Sequence, residues 1–225
     1  MLRSMRTVLF LLLASALLFS ACKGHFHGKG SIDGSGHLVT QTKSLGSFDG
    51  IRIKTMGSVY LTQGEDESVR IEADDNIMDR VIAENHGGTL TVGLKDGSYS
   101  DVTLRVYVTT KRLRSIAIDG AGSFECRSPI TTPSLDCSVS GAGSIELRGS
   151  CDEFECTING AGNISAKDLA VHSCRAELNG AGHCSITVTE KLDASVSGIG
   201  AITYYGNPPV VHSHVSGIGA VSKGS

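Results

Sequence analysis

The 225-residue sequence contains no tryptophan, and only 5% of its residues are aromatic. This scarcity argues against a ligand groove lined by aromatic rings. Charge of one sign is not in excess either, because 20 Lys and Arg residues oppose 23 Asp and Glu residues. Without a basic field to neutralise phosphates, we predict no binding to nucleic acid.

The sequence also lacks an apolar run of the roughly 20 residues that a membrane-spanning helix needs. Its longest such run is the 12-residue stretch Val8 to Phe19, which follows Arg3 and Arg6. A basic start, a short apolar stretch and the small residues that follow it are typical of a signal peptide. We therefore predict that residues 1–21 are an export signal.

The residues around Cys22 resemble the bacterial lipobox, although Phe19 stands where that motif prefers Leu, Val or Ile. The resemblance implies that the Cys22 thiol is diacylated and becomes the new N-terminus, which gives a stable membrane anchor. Lys23 follows the cysteine, a pattern compatible with sorting to the outer membrane of a Gram-negative bacterium. An ordinary secretory signal is the alternative. The glycine-rich residues 22–36 then form a flexible tether.

From residue 115 onward the sequence repeats a Gly-x-Gly signature with 18 to 21 residues between copies. Such a period is the length of one coil of a β-solenoid. In every copy, the residue two places before the first glycine is aliphatic. The first glycines are Gly120, Gly141, Gly160, Gly180, Gly198 and Gly217, and the aliphatic residues are Ile118, Val139, Ile158, Leu178, Val196 and Val215.

Apolar and polar residues alternate around each glycine, which is typical of strands with one buried face. A single coil cannot bury its apolar face, but coils stacked about 4.8 Å apart can do so. We predict an all-β, single-domain parallel β-solenoid with about six Gly-x-Gly coils over residues 115–225. Residues 37–114 keep strand patterning without the signature, and we interpret them as atypical first coils and a strand-rich N-terminal cap.

Several motifs together resemble the bacterial head-GIN domain family (DUF2807), described as an adhesin head of autotransporters. The resemblance covers roughly residues 45–225 and rests on Phe48-Asp-Gly-Ile-Arg-Ile, Val59-Tyr-Leu, Gln63-Gly64, Gly88-Thr-Leu-Thr-Val and the repeated Ser/Asn-Gly-Ala-Gly. It implies a right-handed parallel β-helix, an exported or lipid-anchored protein and no catalytic residues to carry across.

Six cysteines remain besides Cys22, and in an exported protein an even number favours disulfides. Five of the six occupy positions that other copies fill with aliphatic residues, so buried free thiols are the simpler interpretation. Cys137 and Cys156 share one position in adjacent copies, but a strand spacing of about 4.8 Å exceeds the ~3.8 Å Cβ separation of a disulfide. The six are Cys126, Cys137, Cys151, Cys156, Cys174 and Cys184.

No pattern in the sequence predicts a cofactor, a metal site or an enzyme. The sequence has no CxxC motif, and we interpret the pairs His25/His27 and His212/His214 as solvated, with a metal held by the second pair as the alternative. Glu125 and Glu146 occupy equivalent outward positions and could suggest glycosidase chemistry. Ser and Thr continue that position in later copies, so solvated carboxylates are the simpler interpretation.

One polar residue precedes the first glycine in every copy and forms the candidate binding ladder. At a corner, Asn, Asp and Ser satisfy local backbone groups, which is the structural interpretation. The functional interpretation is a linear array that binds a sugar chain or a protein strand. The ladder consists of Asp119, Ser140, Asn159, Asn179, Ser197 and Ser216.

These features favour a non-catalytic, lipid-anchored protein of the cell envelope that acts as a binding or adhesion module. A structural or signalling component without a ligand is the first alternative, and a polysaccharide-active enzyme is the second. The expected partners are the membrane, through the lipid anchor, and a glycan or protein ligand. Because little sequence follows the sixth copy, we also expect an exposed last coil that could associate with another copy.

The lipid anchor makes a direct prediction. Cells grown with radiolabelled palmitate should incorporate label into this protein, and Cys22→Ala should abolish the incorporation because the acylated thiol is gone. If the Cys22→Ala protein were still labelled, the acyl chain would be attached to another residue.

Overall fold

A computed structural model describes residues 30–225 of the chain. The predicted signal peptide, Cys22 and the pair His25/His27 lie outside the described residues. Residues 32–225 form one compact unit. In the described part, strands and their turns make up the chain apart from one 3-10 turn at Met78–Arg80, so the predicted all-β class is confirmed.

The strands are numbered in chain order. They are β1 (Ser31–Asp33), β2 (Leu38–Lys43), β3 (Gly50–Ile53), β4 (Met56–Gln63), β5 (Ser68–Asp74), β6 (Val81–His86), β7 (Thr89–Leu94), β8 (Ser98–Ser100), β9 (Leu104–Thr110), β10 (Ser115–Ile118), β11 (Ala121–Cys126), β12 (Ile130–Val139), β13 (Ala142–Ile158), β14 (Ala161–Leu178), β15 (Ala181–Val196), β16 (Ile199–Tyr205), β17 (Val210–Val215) and β18 (Ile218–Lys223).

Successive copies of the repeat lie on one another as parallel strands, and together they form a β-solenoid of about five turns. Face A contains the segments before each corner glycine, including β3, β10 and β17. Face B contains the segments after it, including β4, β11 and β18. The long strands β13, β14 and β15 bend and contribute to more than one face. The right-handed sense and the number of six coils remain predictions.

The predicted aliphatic column is in register. Val139 pairs with Ile118 on one side and Ile158 on the other, and Leu178 follows Ile158. These four side chains are fully buried. Because each coil places the same residue types at the same height, stacking buries apolar surface that one coil would leave in water.

Corner glycines let the coils approach closely. A Cβ added to Gly160 would lie 2.0 Å from the carbonyl oxygen of Gly141, and one added to Gly141 would lie equally close to Gly120. The obstacle is backbone, which cannot move without separating the coils. Close approach, rather than a left-handed backbone conformation, therefore explains the first glycine of the signature.

The order of the N-terminal strands in space differs from their order along the chain. β3 pairs with β7 on one side and β10 on the other, while β4 lies between β9 and β11. Residues 50–63 therefore form a coil that lies inside the stack, and β7 and β9, although later in sequence, lie outside it. Gly57 pairs with Gly122, so this coil is a degenerate copy of the repeat.

Antiparallel strands cover the end of the stack next to β7 and β9. β6 pairs with β7, and β5 and β2 extend the sheet beyond β9. Residues 22–36 are predicted to be a tether, and of these residues 32–36 lie within the compact unit. The backbone N–H of Gly36 donates to the buried Asp74 carboxylate, which also accepts from Thr103, and this polar contact holds the segment in place.

The stacked core predicts an asymmetry between two isoleucines. Ile158→Ala should lower the free energy of unfolding by about 2–5 kcal/mol because it leaves a cavity between Val139 and Leu178. The matched substitution Ile199→Ala, at a side chain that is 61% exposed, should cost far less. Urea denaturation of both variants checks this, and equal costs would contradict the stacked core.

Candidate functional site

The structure places the six residues of the candidate binding ladder at one corner, one per coil. Their backbone N–H groups donate to the preceding coil, as from Asn159 to the carbonyl of Val139. In the middle of the ladder the side chains bond to one another. Asn179 Nδ2 donates to Asn159 Oδ1 at 3.0 Å, and Ser197 Oγ donates to Asn179 Oδ1 at 2.8 Å.

Asp119, at the first rung of the ladder, forms an ion pair with Arg52 at 2.6 Å. Four of the six ladder residues, Asp119, Asn159, Asn179 and Ser197, therefore bond through their side chains within the protein, which favours the structural interpretation of this corner. Its use as a ligand-binding array remains a prediction.

A second polar surface lies on the outer side of face A and was not singled out from the sequence. Three shallow cavities of about 410, 220 and 290 Å³ follow one another across the coils. The first two share Asp136 and Glu155, and the second and third share Arg175 and Asp193. We call this continuous depression the face A groove.

Short side chains form part of the floor of the face A groove, among them Ala117, Ser138 and Ser195. Longer polar side chains stand along it on neighbouring strands. Asp136 pairs in register with Glu155, and Glu155 pairs with Arg175. The groove is therefore a polar trough that crosses several parallel strands.

Charged side chains at one end of the face A groove form ion pairs, whereas three carboxylates in its middle form none. Arg175 pairs with Glu177 at 2.7 Å, while Asp193 contacts Lys191 and His212, each at 2.8 Å. Lys191, followed by His212, holds the pKa of Asp193 below its ordinary value. Within the described part of the chain, Asp136, Glu153 and Glu155 make no ion pair and are exposed.

The sequence did contain a signal for this groove. Five residues before each corner glycine stand Ser115, Asp136, Glu155, Arg175, Asp193 and His212. Four of these six positions hold Asp, Glu or Arg on a strand whose neighbouring positions are apolar, so the column is the most charged of the repeat. The ladder is detectable because its residue types are regular, whereas the groove column varies in residue type and shares mainly its charge.

All six cysteines of the described chain are free and buried. Cys137 and Cys156 lie opposite each other on adjacent strands as predicted from their shared position. Cys156 Sγ and Cys184 Sγ lie 3.6 Å apart. These thiols fill core positions as small apolar groups.

Burial makes the thiols poor nucleophiles. Desolvation raises the pKa of Cys126 to about 12 and that of Cys151 to about 11. Since the thiolate is the reactive form, neither side chain is suited to covalent chemistry near neutral pH.

The other candidate groups are dispersed over the surface. Glu125 and Glu146 pair in register, and each contacts the arginine two residues further along the chain, at 3.8 and 3.0 Å. His212 lies against Asp193, and His214 stands opposite Ser195.

In residues 30–225 no group of three His, Cys, Asp or Glu side chains is arranged to hold a metal ion. Nor does that part of the chain contain a helix able to cross a bilayer.

The fold defines this protein as a parallel β-solenoid. Its coils are short, they turn at a glycine corner, and they form a polar groove on the outer side. Residues 47–208 match the family model described as "Putative auto-transporter adhesin, head GIN domain" (DUF2807). Because the match covers well over half of the sequence, the chain belongs to the head GIN domain family. No curated protein matches the chain.

Solved structures share the fold. A protein described as a putative adhesin from Bacteroides fragilis has 24% sequence identity and a TM-score of 0.71, over 86% of this chain and all of that one. A protein described as a putative lipid-binding protein from Parabacteroides distasonis has 22% identity and a TM-score of 0.54, over 87% of this chain and all of that one. At such identities the likeness establishes the fold alone.

The buried thiols give a testable prediction. In the Cys22→Ala chain, Ellman's reagent at pH 8 should leave the folded protein unmodified, because the six remaining thiols are buried. In denaturant without reductant all six should react. Fewer than six would reveal a disulfide, and rapid reaction before unfolding would contradict their burial.

Proposed function

We propose that this protein is a non-catalytic, lipid-anchored protein of the cell envelope that binds an elongated polar ligand along the face A groove. The observation on which the proposal rests is the continuity of the three cavities across the coils. Ligand sites are commonly concave, with a few convergent polar groups that fix the ligand. A trough along the stack suits a chain-like ligand better than a compact metabolite.

The chemistry of the groove favours a hydroxyl-rich, uncharged or weakly basic chain, such as a neutral glycan. The unpaired carboxylates of Asp136, Glu153 and Glu155 can each accept hydrogen bonds from hydroxyl groups. Their negative charge disfavours a polyanionic ligand. Short residues on the floor leave room for a chain to lie close to the strands.

A binding role without catalysis agrees with the shallow, open groove and with the raised pKa values of Cys126 and Cys151. It also agrees with the adhesin descriptions of the family model and of the Bacteroides fragilis protein. We further propose that an acyl chain on Cys22 holds the protein at the outer membrane of a Gram-negative bacterium. The residues before β1 would then separate the solenoid from the lipid.

A glycan array probed with the Cys22→Ala chain tests the binding proposal. The best neutral polysaccharide should bind the double variant Asp136→Asn/Glu155→Gln about tenfold more weakly, equivalent to about 1.4 kcal/mol, because two strong acceptors are lost. Isothermal titration calorimetry measures the difference.

The matched control is Asp96→Asn/Glu190→Gln, which removes two exposed carboxylates that line none of the three cavities. This control should bind as the parent chain does. An equal loss in both double variants would indicate a general charge effect, and no binding to any glycan would refute the proposed ligand class.

A further inference from the structure

The far end of the stack presents an open strand edge. β17 pairs with β15 on one side and with no other strand of the described chain. Val211 and Val215 continue the inward columns of Leu192 and Val196, which are fully buried, yet they are 38% and 43% exposed. The last coil thus leaves core positions uncovered, and such an edge favours strand addition.

Three residues of β17 have backbone N–H and C=O groups that do not face β15. The N–H of Ser216 donates to the carbonyl of Val196 on β15. Because alternate residues of a strand turn their backbone groups to the same side, His212 and His214 also face β15. The N–H and C=O groups of Val211, Ser213 and Val215 therefore point away from the stack.

We propose that two copies of this chain associate through β17, with the two strands antiparallel and Ser213 opposite Ser213 of the second copy. In this register Val211 of one copy lies opposite Val215 of the other. All three residues with free backbone groups then exchange hydrogen bonds, and the valines close the exposed end of both cores. The contact is isologous, as a two-fold dimer requires.

The sequence of β17 selects this register over its neighbours. A shift by one residue would place Val211 opposite His214 or Ser216 and turn the wrong face inward. A shift by two would place Ser213 opposite Val211 or Val215 and so break the pairing of the valines. β17 carries no Lys, Arg, Asp or Glu, the side chains that commonly protect a strand edge from pairing.

Other edges of the stack are better protected. β18 ends at Lys223, a charged residue whose ammonium group donates to Asn207 Oδ1 at 2.5 Å. β6, at the opposite end of face A, carries the exposed Glu84 and His86. A second copy of β17 is therefore the partner that best fits β17.

In the dimer the face A groove of one copy would continue toward that of the other, because His212 and His214 line its end. A long ligand could then contact both copies. The dimer itself does not depend on the proposed ligand, since it rests on the strand edge alone.

Sedimentation velocity of the Cys22→Ala chain should show a concentration-dependent dimer. Ser213→Pro should weaken the association by about tenfold or more, because proline lacks the N–H that faces the second copy. That N–H makes no bond within the chain, so the fold should survive, as circular dichroism can verify. Ser213→Val, which keeps the N–H, is the matched control and should still dimerise.

Crosslinking tests the register. In His212→Cys/His214→Cys, residue 212 of one copy lies opposite residue 214 of the other in a non-hydrogen-bonded pair, whose close side chains suit a disulfide. Diamide should therefore join two copies, as two thiols give their hydrogens to the reagent and a disulfide forms between the two chains. Ser98→Cys, an exposed position on β8, should remain monomeric under the same treatment.

A monomer at every concentration would overturn the proposal. A dimer that Ser213→Pro leaves intact, or an open series of higher oligomers, would instead place the contact on other edges and would equally overturn it. If the Cys22→Ala chain formed the dimer but bound no glycan, the result would count against the proposed ligand and not against the dimer.

Discussion

Hydrogen bonding between parallel coils, residue for residue, is the constraint on which the rest of this structure depends. It fixes a common height for Ile118, Val139, Ile158 and Leu178, so that each aliphatic side chain is covered by its equivalents above and below. The same register brings Gly141 and Gly160 so close that a methyl group between them would meet backbone. Core and corner are therefore two consequences of one spacing.

The spacing also determines the chemistry of the surface. Outward side chains of adjacent coils are held about 4.8 Å apart, so residues of equal type must either bond to each other or face solvent. At the corner, Asn159, Asn179 and Ser197 bond to each other. On the outer side of face A, Asp136 and Glu155 do not, and this difference separates a structural ladder from a surface with free acceptors.

The repeat could be predicted from sequence because its residue types recur at a fixed interval, and the columns of residues 115–225 lie where the alternation placed them. The coil at residues 50–63 is harder to predict from the sequence, because Thr55 stands at the corner position and only Gly57 remains of the Gly-x-Gly signature. Nothing in its pattern says that later strands, β7 and β9, lie outside it. That order depends on contacts between segments far apart in sequence.

The contacts of residues 32–36 could not be predicted from the sequence either. Residues 32–36 are short and polar, and composition alone suggests a tether, but the carboxylate of Asp74 binds the backbone of Gly36 across 38 positions of sequence. The groove on face A was overlooked for a different reason. Its residue types change from coil to coil, so a search for identical residues does not detect a column whose common property is charge.

Because every interior coil presents nearly the same edge to its neighbours, a coil can be inserted or deleted without altering the contacts on either side. Each such event changes the distance between the two ends of the stack by about 4.8 Å. Gene duplication of a segment of roughly twenty residues is thus a direct way to lengthen this protein. Relatives can differ in reach while the glycine corner and the buried columns stay the same.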